Sequence, residues 1–345
     1  KVSQNGTVLI DNKSQNGFLS PPIDIKGIKK YTFAYKIKDL EVGENVIFVS
    51  LNKGEESIPI TVNYQPRQPN LHVLAIGPTY ADLKFSAKDA SDFANAAMKQ
   101  AGKGFFNQVF VDTLTSPFNT SRTKVSIAVK KLAMRTLNPD AENYIKSNDY
   151  VMVFFSGHGI KHNERFKLLP SNYESGFENE TTIDYKKEVL NPLETIPNKV
   201  IVFIDACLSG NAKSSPSSAD LTEALLEANS SVPGIVTITS CSAHELSYED
   251  SEWRNGAFTK SLVEAMNNET VQLFNGESIS PDMGVKDANG EIIEAADNGI
   301  LAIGELIIFL QKRVQDLVKH RNYKNQTPTV PVERLNLTLP LFTLE

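Results

Sequence analysis

The chain has 345 residues, a formal net charge of −6 and two cysteines. At roughly 100–200 residues per domain, this length predicts two domains, or one large domain with an appendage. The acidic balance speaks against a general nucleic-acid binder, and two cysteines cannot build a disulfide framework or a four-thiolate zinc site. No apolar run approaches the roughly 20 residues of a membrane span, since the richest, Ile300 to Leu310, is broken by Gly304 and Glu305. The first residue is Lys1, which predicts a processed chain or the later part of a longer protein.

Residues 1–66 are rich in Asn, Gly, Ser and Lys and carry short alternating runs. Tyr31-Thr-Phe-Ala-Tyr-Lys-Ile, Gly43 to Leu51 and Ser57 to Tyr64 read as strands joined by tight turns, which predicts a small all-β sandwich. Pro66 and Pro69 stiffen the exposed crossing that follows, so residues 67–70 read as a linker.

Residues 71–345 change period. Leu71 to Ile76 is an apolar run but for His72, as expected of a strand covered on both faces. Ala90, Phe93, Ala94, Ala97, Met98 and Ala101 then make a helical stripe over 87–101 that Gly102 is placed to end. Further buried strands are predicted at 108–111, 150–155, 199–204 and 234–239, with helices near 120–137, 184–193, 218–229 and 255–267. Leu306, Ile307, Leu310, Val314, Leu317 and Val318 mark a last amphipathic helix. Five strands with helical crossovers predict an α/β fold, a doubly wound, mostly parallel sheet flanked by helices.

In such sheets chemistry gathers at the carboxyl ends of the strands. One strand runs into Ser156-Gly157-His158-Gly159 and another into Asp205-Ala206-Cys207-Leu208-Ser209-Gly210. If those strands are neighbours, a thiol and an imidazole share one cleft. The imidazole of His158 can take the proton of Cys207 and return one to a leaving amine. The backbone N–H groups of Gly159 and Cys207 are candidates for an oxyanion hole. No third residue that orients His158 can be named from the sequence.

These motifs resemble those of the caspase-like cysteine peptidases, closest to the metacaspase and prokaryotic branch, and His158 lies about 50 residues before Cys207, as in caspases. Other marks agree along 71–342: Ala75-Ile-Gly, Lys88-Asp-Ala, Thr239-Ser-Cys-Ser, Tyr248-Glu, Gly256-Ala-Phe-Thr-Lys-Ser-Leu, Glu305-Leu with Arg313-Val, and Gln326-Thr-Pro. Residues 1–66 resemble the Ig-like module that precedes such peptidases in large bacterial proteins, sometimes behind a sensor. The resemblance implies an endopeptidase acting on protein or peptide substrates, in the cytoplasm of a bacterium, as a cell-death or defence effector. It also implies an S1 pocket lined by Asp89, Asp205 and Ser156. Carboxylates there favour Arg or Lys at P1, although Asp89 would equally serve as an acidic residue facing a helix N-terminus. Two positions depart from the metacaspase pattern, Lys88 in place of Asn and Leu208 in place of His.

Trp253 and Arg254 line another subsite or form a surface turn. Lys213, in the Ser-rich stretch 211–220, is a candidate for self-cleavage. Cys241 reads as a buried thiol, with a redox link to Cys207 conceivable. No metal ligand set is apparent, and His72, His162, His244 and His320 share no metal spacing. Glu294 to Glu305 is a degenerate EF-hand loop in which Ala296 replaces an expected ligand. Calcium activation, which the family implies, would then use a site that the sequence does not locate. The alternative to a peptidase is a catalytically inactive scaffold that binds partners, against which the intact His and Cys motifs weigh.

Overall fold

The computed structural model describes residues 2–4, 7–10, 18–19, 23–25, 28–30, 33–34, 43–49, 57–64, 67–80, 82–197, 199–208, 234–242, 245–287, 289–330 and 336–344. The chain divides into two units, Lys1–Arg67 and Gln68–Glu345. The first contains a four-stranded antiparallel sheet in the order Thr7–Ile10, Val2–Gln4, Gly43–Val49, Ile60–Tyr64. Two short antiparallel pairs, Phe18–Leu19 with Phe33–Ala34 and Ile23–Ile25 with Ile28–Lys30, accompany it. The last strand starts after Pro59, which has no N–H to give to a ladder. The immunoglobulin-like identity of this unit stays an expectation drawn from the sequence.

The second unit is built on five parallel strands: β1 (Leu71–Ile76), β2 (Val109–Leu114), β3 (Tyr150–His162), β6 (Lys199–Leu208) and β7 (Ile235–Thr239). Their spatial order is β2-β1-β3-β6-β7. The antiparallel strands β4 (Arg165–Leu168) and β5 (Ile183–Asp184) extend the sheet beside the far end of β3. The chain leaves β1 toward one edge and β3 toward the other, so a crevice opens between their carboxyl ends.

Side chains alternate to two fully covered faces. Val73, Met152, Phe154, Ile201 and Phe203 pack against α1 (Ser86–Met98), α4 (Ala257–Met266) and α5 (Ile303–His320). Leu74, Val151, Val153, Val200 and Val202 pack against α2 (Arg122–Met134) and the segment 185–194. Burial of each such side chain contributes about 1.5–3 kcal/mol, which is why these strands read as unbroken apolar runs.

Two elements differ from the sequence expectation. The helix expected over 184–193 is a π-turn, Tyr185–Leu190, followed by the short α3, Asn191–Glu194. Pro192 has no N–H to return to the carbonyl of Glu188, and Asn191 instead donates to Lys186 in the wider register. The strand expected over 150–155 continues to His162 as β3, so His158 lies within it. Asn163 and Glu164, at φ 52° and 57°, then form the two-residue hairpin turn into β4. The helix expected over 218–229 falls outside the described residues.

Candidate active site

The pairing of β3 with β6 decides the geometry. The two strands run parallel in a register that sets Ser156 opposite Asp205 and His158 opposite Cys207. Side chains recur on one face with period two, so positions 156, 158 and 205 belong to the α1 side of the sheet. Gly159 pairs with Leu168 on one side and Leu208 on the other, so its backbone sits inside the sheet.

Helix α1 begins ten residues after β1 ends and brings Asp89 into the same crevice. Ser156 Oγ donates to Asp89 Oδ2 at 2.8 Å, and Asn255 Nδ2 and the Gly256 N–H donate to Oδ1 at 2.9 and 3.2 Å. Asp205 accepts from Ser247 Oγ at 2.7 Å, from the Thr259 N–H at 3.1 Å and from Thr259 Oγ1 at 2.6 Å. Both carboxyls are buried. Burial, reinforced by the charge of Asp205, pushes the Asp89 carboxyl up to about 8, and burial pushes Asp205 up as well. Two carboxylates so close cannot both ionise cheaply in a desolvated crevice. Asp89, Ser156, Asp205, Ser247, Tyr248 and Gly256 border a cavity of about 10 Å³, room for no more than a single water.

His158 is buried as well. Its Nε2 lies 3.0 Å from Asp82 Oδ1, and the Tyr80 ring packs on it at 4.7 Å between centroids. Tyr80 Oη donates to the Leu169 carbonyl, and the Leu169 N–H donates to the His158 carbonyl at 3.0 Å. Packing also demands the flanking glycines: a Cβ at Gly157 would lie 2.7 Å from Tyr80 Oη, and one at Gly159 would lie 2.7 Å from Phe166 Cε2. The loop after β1 is fastened by Glu249, whose two oxygens accept the N–H groups of Lys84 at 2.8 Å and Phe85 at 3.1 Å.

Residues 72–335 match the family model of the caspase domain. The chain belongs to the caspase domain family. Membership supports a cysteine-type peptidase in general. Caspase-1 from Spodoptera frugiperda is similar in structure over 80% of this chain and 89% of its own, with 11% identity and a TM-score of 0.38. The Drosophila initiator caspase Dronc covers 79% and 82% in the same way, with 12% identity and a TM-score of 0.37. No curated protein matches the sequence.

Several residues of this caspase domain were not legible in the sequence as site residues. Asp82, Tyr80, Ser247 and Asn255 come from loops and a two-residue strand, where no periodic pattern marks them. Thr259 and Gln326 lie inside runs that carry the family resemblance, but their partners come from distant parts of the chain. Gln326 is buried; it donates to the Ser240 carbonyl and to Ser247 Oγ and accepts the Tyr248 N–H. Lys88, which adjoins Asp89 in sequence, turns away to Asp92 and to Asn255 Oδ1.

The other expected residues have surroundings of their own. Trp253 is 8% exposed and packs edge-on against Tyr323, while Arg254 is exposed at a left-handed turn with φ 56°. Among the described residues, neither makes a hydrogen bond or ring contact with Asp89, Asp205 or His158. Cys241 is buried, and burial, with the charges of Asp205 and Glu245, pushes its thiol up to about 12. His72 is paired with Asp149 at 3.4 Å inside the core. Lys213 and His244 lie outside the described residues.

The EF-hand-like loop does not fit a calcium cage. Glu305 is spent as the cap of α5, since Oε2 accepts the Ala302 N–H at 2.9 Å and Oε1 accepts the Gly284 N–H at 2.8 Å. Among the described residues no group of three His, Cys, Asp or Glu side chains is arranged to hold a metal.

Proposed function

We propose that this chain is a cysteine endopeptidase that cuts after Arg or Lys, with Cys207 as nucleophile and His158 as acid and base. The observation that carries the reading is the parallel register that sets position 158 opposite position 207 at the carboxyl edge of the sheet. The Cys207 thiol passes its proton to His158, and the sulfur attacks the scissile carbonyl carbon. Backbone N–H groups, with Gly159 and Cys207 as candidates, stabilise the oxyanion. His158 then protonates the leaving amine, and a water that it deprotonates hydrolyses the thioester.

The P1 preference rests on Asp89 and Asp205, two buried carboxyls on the crevice floor with Ser156 between them. A guanidinium or ammonium arriving there compensates the charge that burial otherwise disfavours, and the proton held on the pair leaves. The cavity of about 10 Å³ is too small for such a side chain, so binding requires the Tyr248–Glu249 segment and the loop after β1 to part. Self-cleavage at Lys213 is part of the same proposal, because it offers a basic P1 residue on a Ser-rich stretch near the nucleophile.

The test is a set of fluorogenic peptides with Arg, Lys or Asp at P1, run with Cys207→Ala as control. Turnover of the Arg and Lys peptides, abolished by the substitution, is expected. No turnover of any peptide, with or without calcium, would favour the inactive scaffold. Recovery of an uncut, fully active chain would remove the self-cleavage step alone.

A further inference from the structure

We propose that Asp82 is the positioning residue of His158, completing a Cys-His-Asp arrangement with position 207. The inference rests on the reading of Cys207 and His158 as nucleophile and base. Its own basis is independent: the 3.0 Å contact between His158 Nε2 and Asp82 Oδ1.

An imidazole can take a thiol proton only at the nitrogen that carries its lone pair. A carboxylate at Nε2 holds the proton there and leaves Nδ1 as the acceptor. His158 Nδ1 is buried and has no hydrogen-bond partner among the described residues, so it is the nitrogen left for a thiol. The proton balance follows. The Cys207 S–H proton moves to Nδ1 while the Nε2 proton stays in place between imidazolium and Asp82. The Nδ1 proton goes on to the leaving amine, and Asp82 never takes one. In keeping with this, the hydrogen bond from His158 holds the Asp82 carboxyl below its ordinary range despite some burial.

The loop that carries Asp82 is fixed on both sides. Tyr80 packs on the His158 ring and ties to Leu169, and Glu249 holds Lys84 and Phe85. Among the described residues, Asp82 contacts the ring at Nε2 and Tyr80 packs on its face, and the strand register sets position 207 opposite position 158. The Asp82 side chain is 55% exposed while that of His158 is 8% exposed. A pair exposed on one side contributes little to folding, so removing the carboxylate leaves the protein folded and isolates its effect on the imidazole.

The experiment compares wild type, Asp82→Ala, Asp82→Asn and His158→Ala in two readouts. One is the steady-state cleavage of a P1-Arg peptide. The other is the rate of Cys207 alkylation by iodoacetamide, followed by peptide mass spectrometry between about pH 5 and about pH 9. In wild type, alkylation is expected to proceed well below the ordinary thiol range of about 8.5, because an imidazolium stabilises the thiolate. Asp82→Ala is expected to lower kcat about 10²-fold at nearly constant KM and to move the alkaline limb of kcat/KM to lower pH. Asp82→Asn keeps an oxygen for the Nε2 proton and is expected to restore part of kcat without restoring that limb. Wild-type kcat and limbs in Asp82→Ala would overturn the proposal, and so would a lowered kcat with unshifted limbs. A wild-type alkylation profile identical to that of His158→Ala would overturn the thiol–imidazole pair itself.

Discussion

A Cβ on Gly256 would lie 2.5 Å from Asp205 Oδ2, so helix α4 can begin against that carboxyl only because residue 256 has no side chain. The backbone there is ordinary, with φ −64°, and the requirement is one of space. Asp205 cannot step aside, because Thr259 holds Oδ2 twice and Ser247 holds Oδ1. Gly256→Ala is therefore expected to cost about 1–3 kcal/mol in urea unfolding and to raise KM for a P1-Arg peptide. An unchanged unfolding midpoint would show that the carboxyl moves freely.

Stability should fall with rising pH on account of Asp89. Burial and the charge of Asp205 push its carboxyl up to about 8 in the fold, against 3.8 ordinarily, so the native state holds a proton that the unfolded chain releases. The contribution is complete below about 3.8 and is lost progressively as pH rises toward about 8. Asp89→Asn cannot ionise there, so its melting temperature is expected to gain on that of wild type across this window. A gap that stays constant with pH would count against a buried, protonated Asp89.

The same proton gives a binding prediction. A P1 cation favours the ionised pair, so KM for a P1-Arg peptide should decrease as pH rises toward 8, with proton release measurable by calorimetry in buffers of different ionisation enthalpy. Asp89→Asn should abolish that release.

Gln326→Ala removes three hydrogen bonds in one buried place, among them the one that accepts the Tyr248 N–H. A loss of about 1–3 kcal/mol in chemical denaturation is expected, together with weaker P1 binding because Ser247 loses its support beside Asp205. Peptide KM and unfolding midpoint, measured on one preparation, separate the two effects.

Thiol reactivity distinguishes the two cysteines. Cys241 is buried with its thiol pushed up to about 12, so native protein should leave it unmodified by iodoacetamide, and denatured protein should expose it. Rapid native labelling of Cys241 would require the end of β7 to open.

The sequence by itself determined the sheet and its two chemical termini. Val73 to Ile76, Val151 to Phe155 and Val200 to Ile204 are apolar without interruption, as expected of strands covered on both faces. Ser156-Gly-His-Gly and Asp205-Ala-Cys continue two of them, so His158 and Cys207 were legible as ends of strands. Their opposition was not, because register depends on which strands pair and a slip of one residue turns every side chain to the other face. Nor were Asp82, Ser247, Asn255 and Gln326 marked out as neighbours of the site. They come from loops or short strands without periodicity, and their partners stand 42 to 166 residues away. Only the tertiary structure decided them, because hydrogen bonds between distant segments leave no pattern along the chain. Burial likewise made Asp89 and Asp205, two ordinary carboxylates in the sequence, a pair that holds on to a proton.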